Sequence, residues 1–301
     1  MTSPHPFPDF LASEIPPAQP EECLFHVIPV PYEKTVSYGP GTAAGPLAIL
    51  ESSQQLELFD GISVPAEYGI YTHPPVNCNG SNEEALERIT KTVSSVLNLK
   101  KIPVVLGGEH TVSVGAFRAV KAHFKDFGIV QFDAHADLRD TYYGTPLSHA
   151  CVMRRAVEMD IPIFQIGVRS LSWEEHLLRK ERQIGHLDAS AIGMAPVPDV
   201  ILPEDFPQHI YITFDVDGLD PSIMPATGTP EPGGLSWHQA FSALRAVMRG
   251  RRVIGFDVVE LAPIPGMHAP EFTAARLIYN LFGMIGRQER LCLQAAAKSS
   301  G

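Results

Sequence analysis

The chain carries four cysteines in 301 residues, Cys23, Cys78, Cys151 and Cys292, and no two of them form a Cys-x-x-Cys pair. So few, so far apart, they are no disulfide framework and read as buried free thiols of a reducing compartment. There is no run of about 18 apolar residues, the length a membrane-spanning helix needs. The opening Met-Thr-Ser-Pro-His-Pro-Phe-Pro lacks the basic and apolar regions of a secretion signal, so a cytoplasmic location is expected. Positive charge is also scarce. Lys and Arg total 23 against 34 Asp and Glu, a net charge of −11, and no basic block occurs. Nucleic acid and anionic membrane both require basic patches, so neither is an expected partner. An acidic balance suits a cationic small molecule instead. Internal repeats, low-complexity tracts and flexible linkers are missing too, which argues for one domain.

What remains is an ordinary globular composition, 45% hydrophobic and 19% charged, in a chain long enough for a large core. Residues 1–22 are Pro-rich and read as an extended arm over the surface; residues 23–301 read as a single domain. Strands are expected at 24–31, 68–73, 102–106, 127–132, 163–168, 184–187, 210–214 and 253–261. Helices are expected at 46–53, 82–99 with Asn82 as cap, 114–124, 148–159, 172–182, 237–248 and 270–285, with a Pro-rich loop at 196–207. Strand and helix alternate throughout, and the strands are continuous apolar runs. That pattern specifies an α/β fold with a parallel sheet covered on both faces.

Polar residues of one kind gather where these strands end. The apolar run 127–132 passes directly into Asp133-Ala-His135-Ala-Asp137, and in an extended chain residues two apart share a side. The run 210–214 is followed by Asp215-Val-Asp217, and 102–106 by Gly107-Gly-Glu-His110. One Asp after a strand usually caps the next helix, and one His is usually a satisfied histidine. Six such residues at three strand ends form a different pattern, because crowded carboxylates repel unless a cation holds them. Open α/β sheets place their sites at this carboxyl edge. Four carboxylates, two imidazoles and no thiolate make a hard donor set that favours Mn²⁺ over tetrahedral zinc. Six ligands suit two ions that share bridging carboxylates and activate a water between them, so the reaction class is hydrolysis. Glu260, after the strand at 253–259, also stands at the carboxyl edge, where a carboxylate can hold a cationic group through charge-assisted hydrogen bonds. His149, in the loop after the central strand, can shuttle protons. Asp220 reads as a turn residue before Pro221. Glu109 reads as an orienting neighbour of His110 or a surface contact, and Gly228–Gly234 as a rigid loop shaping the site.

Gly107-Gly-Glu-His110, Asp133-Ala-His-Ala-Asp137, Ser148-His149 and Phe214-Asp-Val-Asp-Gly-Leu-Asp-Pro-Ser222 together resemble the ureohydrolases, the arginase and agmatinase family. Pro225-Ala-Thr-Gly-Thr-Pro-Glu-Pro-Gly-Gly234 and Asp257-Val-Val-Glu260 extend the resemblance, which covers about residues 24 to 287 in the family's order. It implies a three-layer α/β/α fold with an eight-stranded parallel sheet and a binuclear manganese site. By position, His110, Asp133, Asp137 and Asp215 would hold one ion. Asp133, His135, Asp215 and Asp217 would hold the other, with Asp133 and Asp215 bridging. Asp137 would pass a proton to the leaving amine, Glu260 would orient the guanidinium, and urea would be released. Trimers or hexamers are implied as the assembly.

The substrate's far end separates family members. Arg139 stands where arginases carry an Asn for the amino-acid head, which disfavours L-arginine. Thr227-Gly-Thr-Pro-Glu-Pro-Gly-Gly234 and Val258-Val-Glu-Leu-Ala-Pro263 look agmatinase-like, while 264–270 depart from the Tyr-Asp common there. Agmatine, hydrolysed to putrescine and urea, is the expected substrate. The alternatives are guanidinobutyrase, with Arg139 reading a carboxylate tail, arginase, and a deacetylase-like amidohydrolase.

Overall fold

Eight strands line up in one sheet: β1 (Phe25–Val30), β2 (Ile70–Thr72), β3 (Ile102–Gly107), β4 (Gly128–Phe132), β5 (Ile163–Ile166), β6 (Gly185–Leu187), β7 (His209–Asp215) and β8 (Arg252–Val259). The computed structural model describes residues 7–193 and 196–299, with side chains as far as Leu291. The start of the Pro-rich arm and the Cys292 side chain lie outside the described residues. The order across the sheet is β2-β1-β3-β8-β7-β4-β5-β6, and every pairing is parallel. Parallel neighbours need crossovers, which the helices supply: α1 (Gly45–Ser53), α2 (Asn82–Asn98), α3 (Val112–His123), α4 (Val152–Glu158), α5 (Trp173–Glu181), α6 (Ala189–Ile192), α7 (Trp237–Met248) and α8 (Ala269–Ser299).

The apolar strands bury both faces. Val104, Leu106, Val130, Phe132, Ile212 and Phe214 join a core under α1, α7 and α8. Val105, Ile129 and Tyr211, one residue out of phase, join the core under α2, α3, α4 and α5. The result is the expected three-layer α/β/α arrangement. Full burial of each such side chain contributes about 1.5–3 kcal/mol, which is why runs without polar alternation become central strands. Phe132 and Phe214 pair across β4 and β7 and stack at 5.0 Å, so the aspartates that follow them emerge side by side.

Several local expectations are corrected. Helix α2 is capped by Ser81, not Asn82: the Ser81 hydroxyl accepts from the Glu84 N–H while the Glu84 carboxylate accepts from the Ser81 N–H. The Asn82 amide donates instead to the Leu147 carbonyl. The helix expected at 148–159 begins with a 3₁₀ turn at His149–Cys151 before α4, because the Asp137 carbonyl accepts from Met153 and Arg154. Strand β8 stops at Val259, since Glu260 takes φ 65°. Helix α6 was not read from the sequence, and α8 runs well past 285. The arm is not draped over the surface along its whole length. Phe10 and Leu11 are buried, their N–H groups donating to Thr72 Oγ1 (2.9 Å) and Ser53 Oγ (3.0 Å), and Phe10 packs edge-on against Phe282 of α8. Among the described residues no helix is long and apolar enough to cross a membrane.

Candidate metal centre

Four adjacent strands, β3, β8, β7 and β4, bring the candidate residues to one edge. His110 sits between β3 and α3, Asp133, His135 and Asp137 follow β4, Asp215 and Asp217 follow β7, and Glu260 follows β8. Topology therefore places beside one another residues that lie 150 positions apart in the chain.

The donor atoms converge in two groups. His110, Asp133 and Asp137 form one, and Asp133, His135 and Asp217 form the other, each with its ligand atoms within 4.8 Å of one another. Asp133 belongs to both, as a bridging carboxylate must. Asp215 stands beside the first group, its Oδ2 3.5 Å from His110 Nδ1, and its Oδ1 accepts from the Asp217 N–H. Nδ1 of His110 also lies 2.9 Å from Asp137 and 3.2 Å from Asp133. Although buried among three carboxylates, it makes a hydrogen bond to none of them. That is the geometry of ligands aimed at a common point. His135 Nδ1 lies 3.0 Å from Asp217 Oδ2 and 3.6 Å from Asp133 Oδ1.

Partners that the sequence reading missed fix these ligands. His110 Nε2 is 2.9 Å from Thr213 Oγ1, and the Thr213 hydroxyl donates to Asp257 Oδ1 at 2.6 Å. With its hydrogen committed to Asp257, Thr213 accepts from Nε2–H, so Nδ1 is the nitrogen that would give up its proton and offer a lone pair to an ion. Gln131 donates to Asp133 Oδ2 at 2.7 Å, and Gln165 donates to Gln131 at 2.5 Å. The visible signal was polar residues inside apolar strands, Thr213 and Gln131 each two before a candidate ligand. Glu109 is no surface contact: fully buried, it accepts from the N–H groups of Lys34 and Thr35 and from the hydroxyls of Thr35 and Thr111. Thr35 Oγ1 in turn accepts from the His149 N–H at 3.2 Å, so Glu109 organises the loop that seats His149.

Electrostatics follow from crowding in a dry site. Burial, then the charge of Asp133, pushes Asp137 up to about 7. Asp215 is held well above the usual carboxylate range by burial and by Asp217 and Asp133, and Glu260 by burial and by Glu109. Burial opposes charge on His135, but Asp217 and Asp133 outweigh it and raise the ring to about 12. The His110 ring is likewise raised, its carboxylate neighbours overcoming burial. Protons that carboxylates and imidazoles hold in this way are the ones a divalent cation displaces. The hard donor set and the orphaned Nδ1 fit such an ion.

His135, Asp137, Asp215, Asp217, His149 and Glu260 all line one cavity of about 310 Å³, with Ser37, Arg139, Tyr142, Ser170, Ser172 and Thr229 among the other walls. Glu260 is anchored there by the His110 N–H, which donates to its Oε1 at 2.6 Å. His149 Nδ1 lies 3.8 Å from that same oxygen, and its Nε2 is buried without a partner. Arg139 does not enter the ligand groups; it is exposed, its guanidinium 5.1 Å over the Tyr142 ring. Asp220 caps its turn as expected, accepting from Ser222, Gly233 and Gly234.

A family model described as the arginase family matches residues 24–283. The chain belongs to the arginase family. It is 37% identical over 276 residues to N(1)-aminopropylagmatine ureohydrolase of Synechocystis sp., covering 88% of this chain and 90% of that protein. It is 32% identical over 278 residues to the agmatinase of Pyrococcus horikoshii, covering 91% and 96%. The crystal structure of agmatine ureohydrolase of Thermoplasma volcanium superposes with a TM-score of 0.80 at 28% identity, covering 94% of this chain and 96% of that one. Membership of this family of binuclear metal enzymes makes the chain a ureohydrolase, a hydrolase acting on C–N bonds.

Proposed function

We propose that this ureohydrolase hydrolyses a guanidinoalkylamine to urea and the free amine, with agmatine as substrate and putrescine as product. The observation that carries the reading is one cavity lined by four of the six candidate metal ligands, His135, Asp137, Asp215 and Asp217, and by a separate carboxylate, Glu260, suited to a guanidinium. Two divalent ions would be held by His110, Asp133, Asp137 and Asp215 and by Asp133, His135, Asp215 and Asp217. The hardness of the donors favours manganese. When bound, such ions supply the Lewis acidity that makes water nucleophilic near neutral pH.

The chain's own residues do the rest. Glu260 accepts guanidinium N–H groups and aims the central carbon at the ligand cluster. Water adds to that carbon, the bond to the alkyl-bearing nitrogen breaks, and this nitrogen leaves with a proton as the amine. Asp137 and His149, both in the wall of the same cavity, would carry that proton. A cytoplasmic location and a trimer or hexamer belong to the same reading on family resemblance alone; light scattering measures the assembly directly.

The name of the Synechocystis relative favours a second reading, the aminopropyl derivative of agmatine, within the same chemistry. Arg139, the one Lys or Arg lining the cavity among the described residues, is where a carboxylate tail would be read. The test is urea release by the manganese-loaded protein from agmatine, its N1-aminopropyl derivative, L-arginine and 4-guanidinobutyrate. Agmatine or its derivative should dominate. Preference for 4-guanidinobutyrate would move the assignment to a guanidinobutyrase, and no urea from any of them would defeat it.

A further inference from the structure

Arg169 follows Gly167 at the end of β5 and lies between three loops of the site. Its Nη2 donates to the carbonyls of Asp217 (2.7 Å) and Glu231 (2.7 Å), with a longer contact to Leu219 (3.4 Å). Nε faces the Glu231 and Pro232 carbonyls at 3.1 and 3.2 Å, and Nη1 donates to Gly167 at 3.1 Å. The Arg169 main-chain N–H donates to Ala134, between Asp133 and His135, at 2.9 Å. The guanidinium thus spends its planar fork on main-chain carbonyls. An ammonium, with three donors on one atom, cannot span them.

These contacts favour one half of the centre. Asp217 is held through its own carbonyl, and His135 through the neighbouring Ala134. The loop at 228–234 joins them, since Thr229 Oγ1 lies 3.4 Å from Asp217 Oδ2. His110 and Asp137 receive nothing from Arg169. Thr213 and Glu260 hold the first, and the start of α4 holds the main chain of the second.

We propose that Arg169 is a positioning residue for the His135–Asp217 half of the centre, setting the spacing of those two ligands and fixing the cavity wall at Thr229 against them. The inference rests on the two-ion reading above. Neighbours that orient ligands are typically worth about 10–100-fold in metal affinity. Loss of the clamp should therefore weaken one ion by about that factor and leave the other as it was.

The experiment titrates Mn²⁺ into metal-free wild type, Arg169→Lys and Gly234→Ala by calorimetry, with bound metal counted by elemental analysis. Gly234→Ala presses on the clamp from the opposite side, because its Cβ would lie 2.7 Å from Arg169 Nη2, Asp220 N and Leu219 C. Wild type should bind two ions. Each variant should keep one at the wild-type affinity and bind the second about 10–100-fold more weakly. Turnover in the variants should recover in excess Mn²⁺, which a general loosening of the fold would not permit. Two ions held as tightly as in wild type, or both weakened alike, would overturn the role of Arg169. Should Arg169→Lys not fold, Gly234→Ala decides by the same criteria. Fewer than two ions in wild type would instead remove the two-ion reading itself, and the proposal with it.

Discussion

Glu260 and Asp137 both sit in the left-handed region, at φ 65° and 52°. An L side chain pays about 1 kcal/mol or more there, so such residues persist where surrounding contacts hold them. At Glu260 those contacts are its N–H to the Gly108 carbonyl and its carboxylate on the His110 N–H. Glu260→Gln keeps an acceptor for His110 but loses the charge that would hold a guanidinium. It should retain both metal ions and lose about 100-fold or more in kcat/KM; near-normal kinetics would refute the orienting role. Asp133 belongs to both ligand groups, so Asp133→Asn should lose most bound metal, read by elemental analysis. A pH dependence follows from the same crowding. Groups held above their unfolded values, Asp137 at about 7 and His135 at about 12, stabilise the fold only while protonated in it. Their contribution is full below the unfolded value and is lost as pH rises. Above about pH 7.5, a unit past the ordinary value of a histidine, His26, His73 and His149, whose values burial lowers, are neutral in both states and drop out. The metal-free protein should therefore lose stability between about pH 7.5 and 9, at about 1.4 kcal/mol per unit for each group protonated only in the fold. Saturating metal should flatten that slope, and chemical denaturation at several pH values checks both limbs.

At the level of elements, the strands and their polar ends were legible because burial on both faces leaves long, mainly apolar runs that give way to clustered acids at the carboxyl edge. Asp133, Asp215 and His110 stand out for that reason. The turns that aim them were not legible. Nothing in an apolar period marks the left-handed turn at Glu260, whereas the cap of α2 is readable, since Ser81 and Glu84 stand at the spacing of a capping box. Arg169 escaped notice because its partners are carbonyls from three loops, which leave no mark in sequence. One turn does carry a clear test. A Cβ on Gly108, between β3 and His110, would lie 2.0 Å from the Tyr32 carbonyl oxygen, backbone against backbone. Gly108→Ala should destabilise the protein by about 3 kcal/mol and weaken metal binding, since the displaced turn carries His110.

For the whole molecule, composition had argued against anionic partners and the alternation had specified the layers, and the sheet order supplied what neither could. Only the crossover that sets β8 between β3 and β7 brings Glu260 to the ligands. The Pro-rich arm departs in part from the expectation, because Phe10 and Leu11 are adjacent apolar residues in a proline-broken stretch with no helix or strand period to reveal burial. Phe10→Ala should cost about 3 kcal/mol by denaturant titration while leaving kcat unchanged, since the arm packs on α8 and not on the site.

The central claim is a two-ion site built around a shared Asp133, and the most direct measurement is urea release from agmatine as Mn²⁺ is added stepwise to the metal-free protein. Activity should rise until two ions per chain are bound and then stop, with protons released on binding. Full activity at one ion per chain, or two bound ions with no urea, would contradict it.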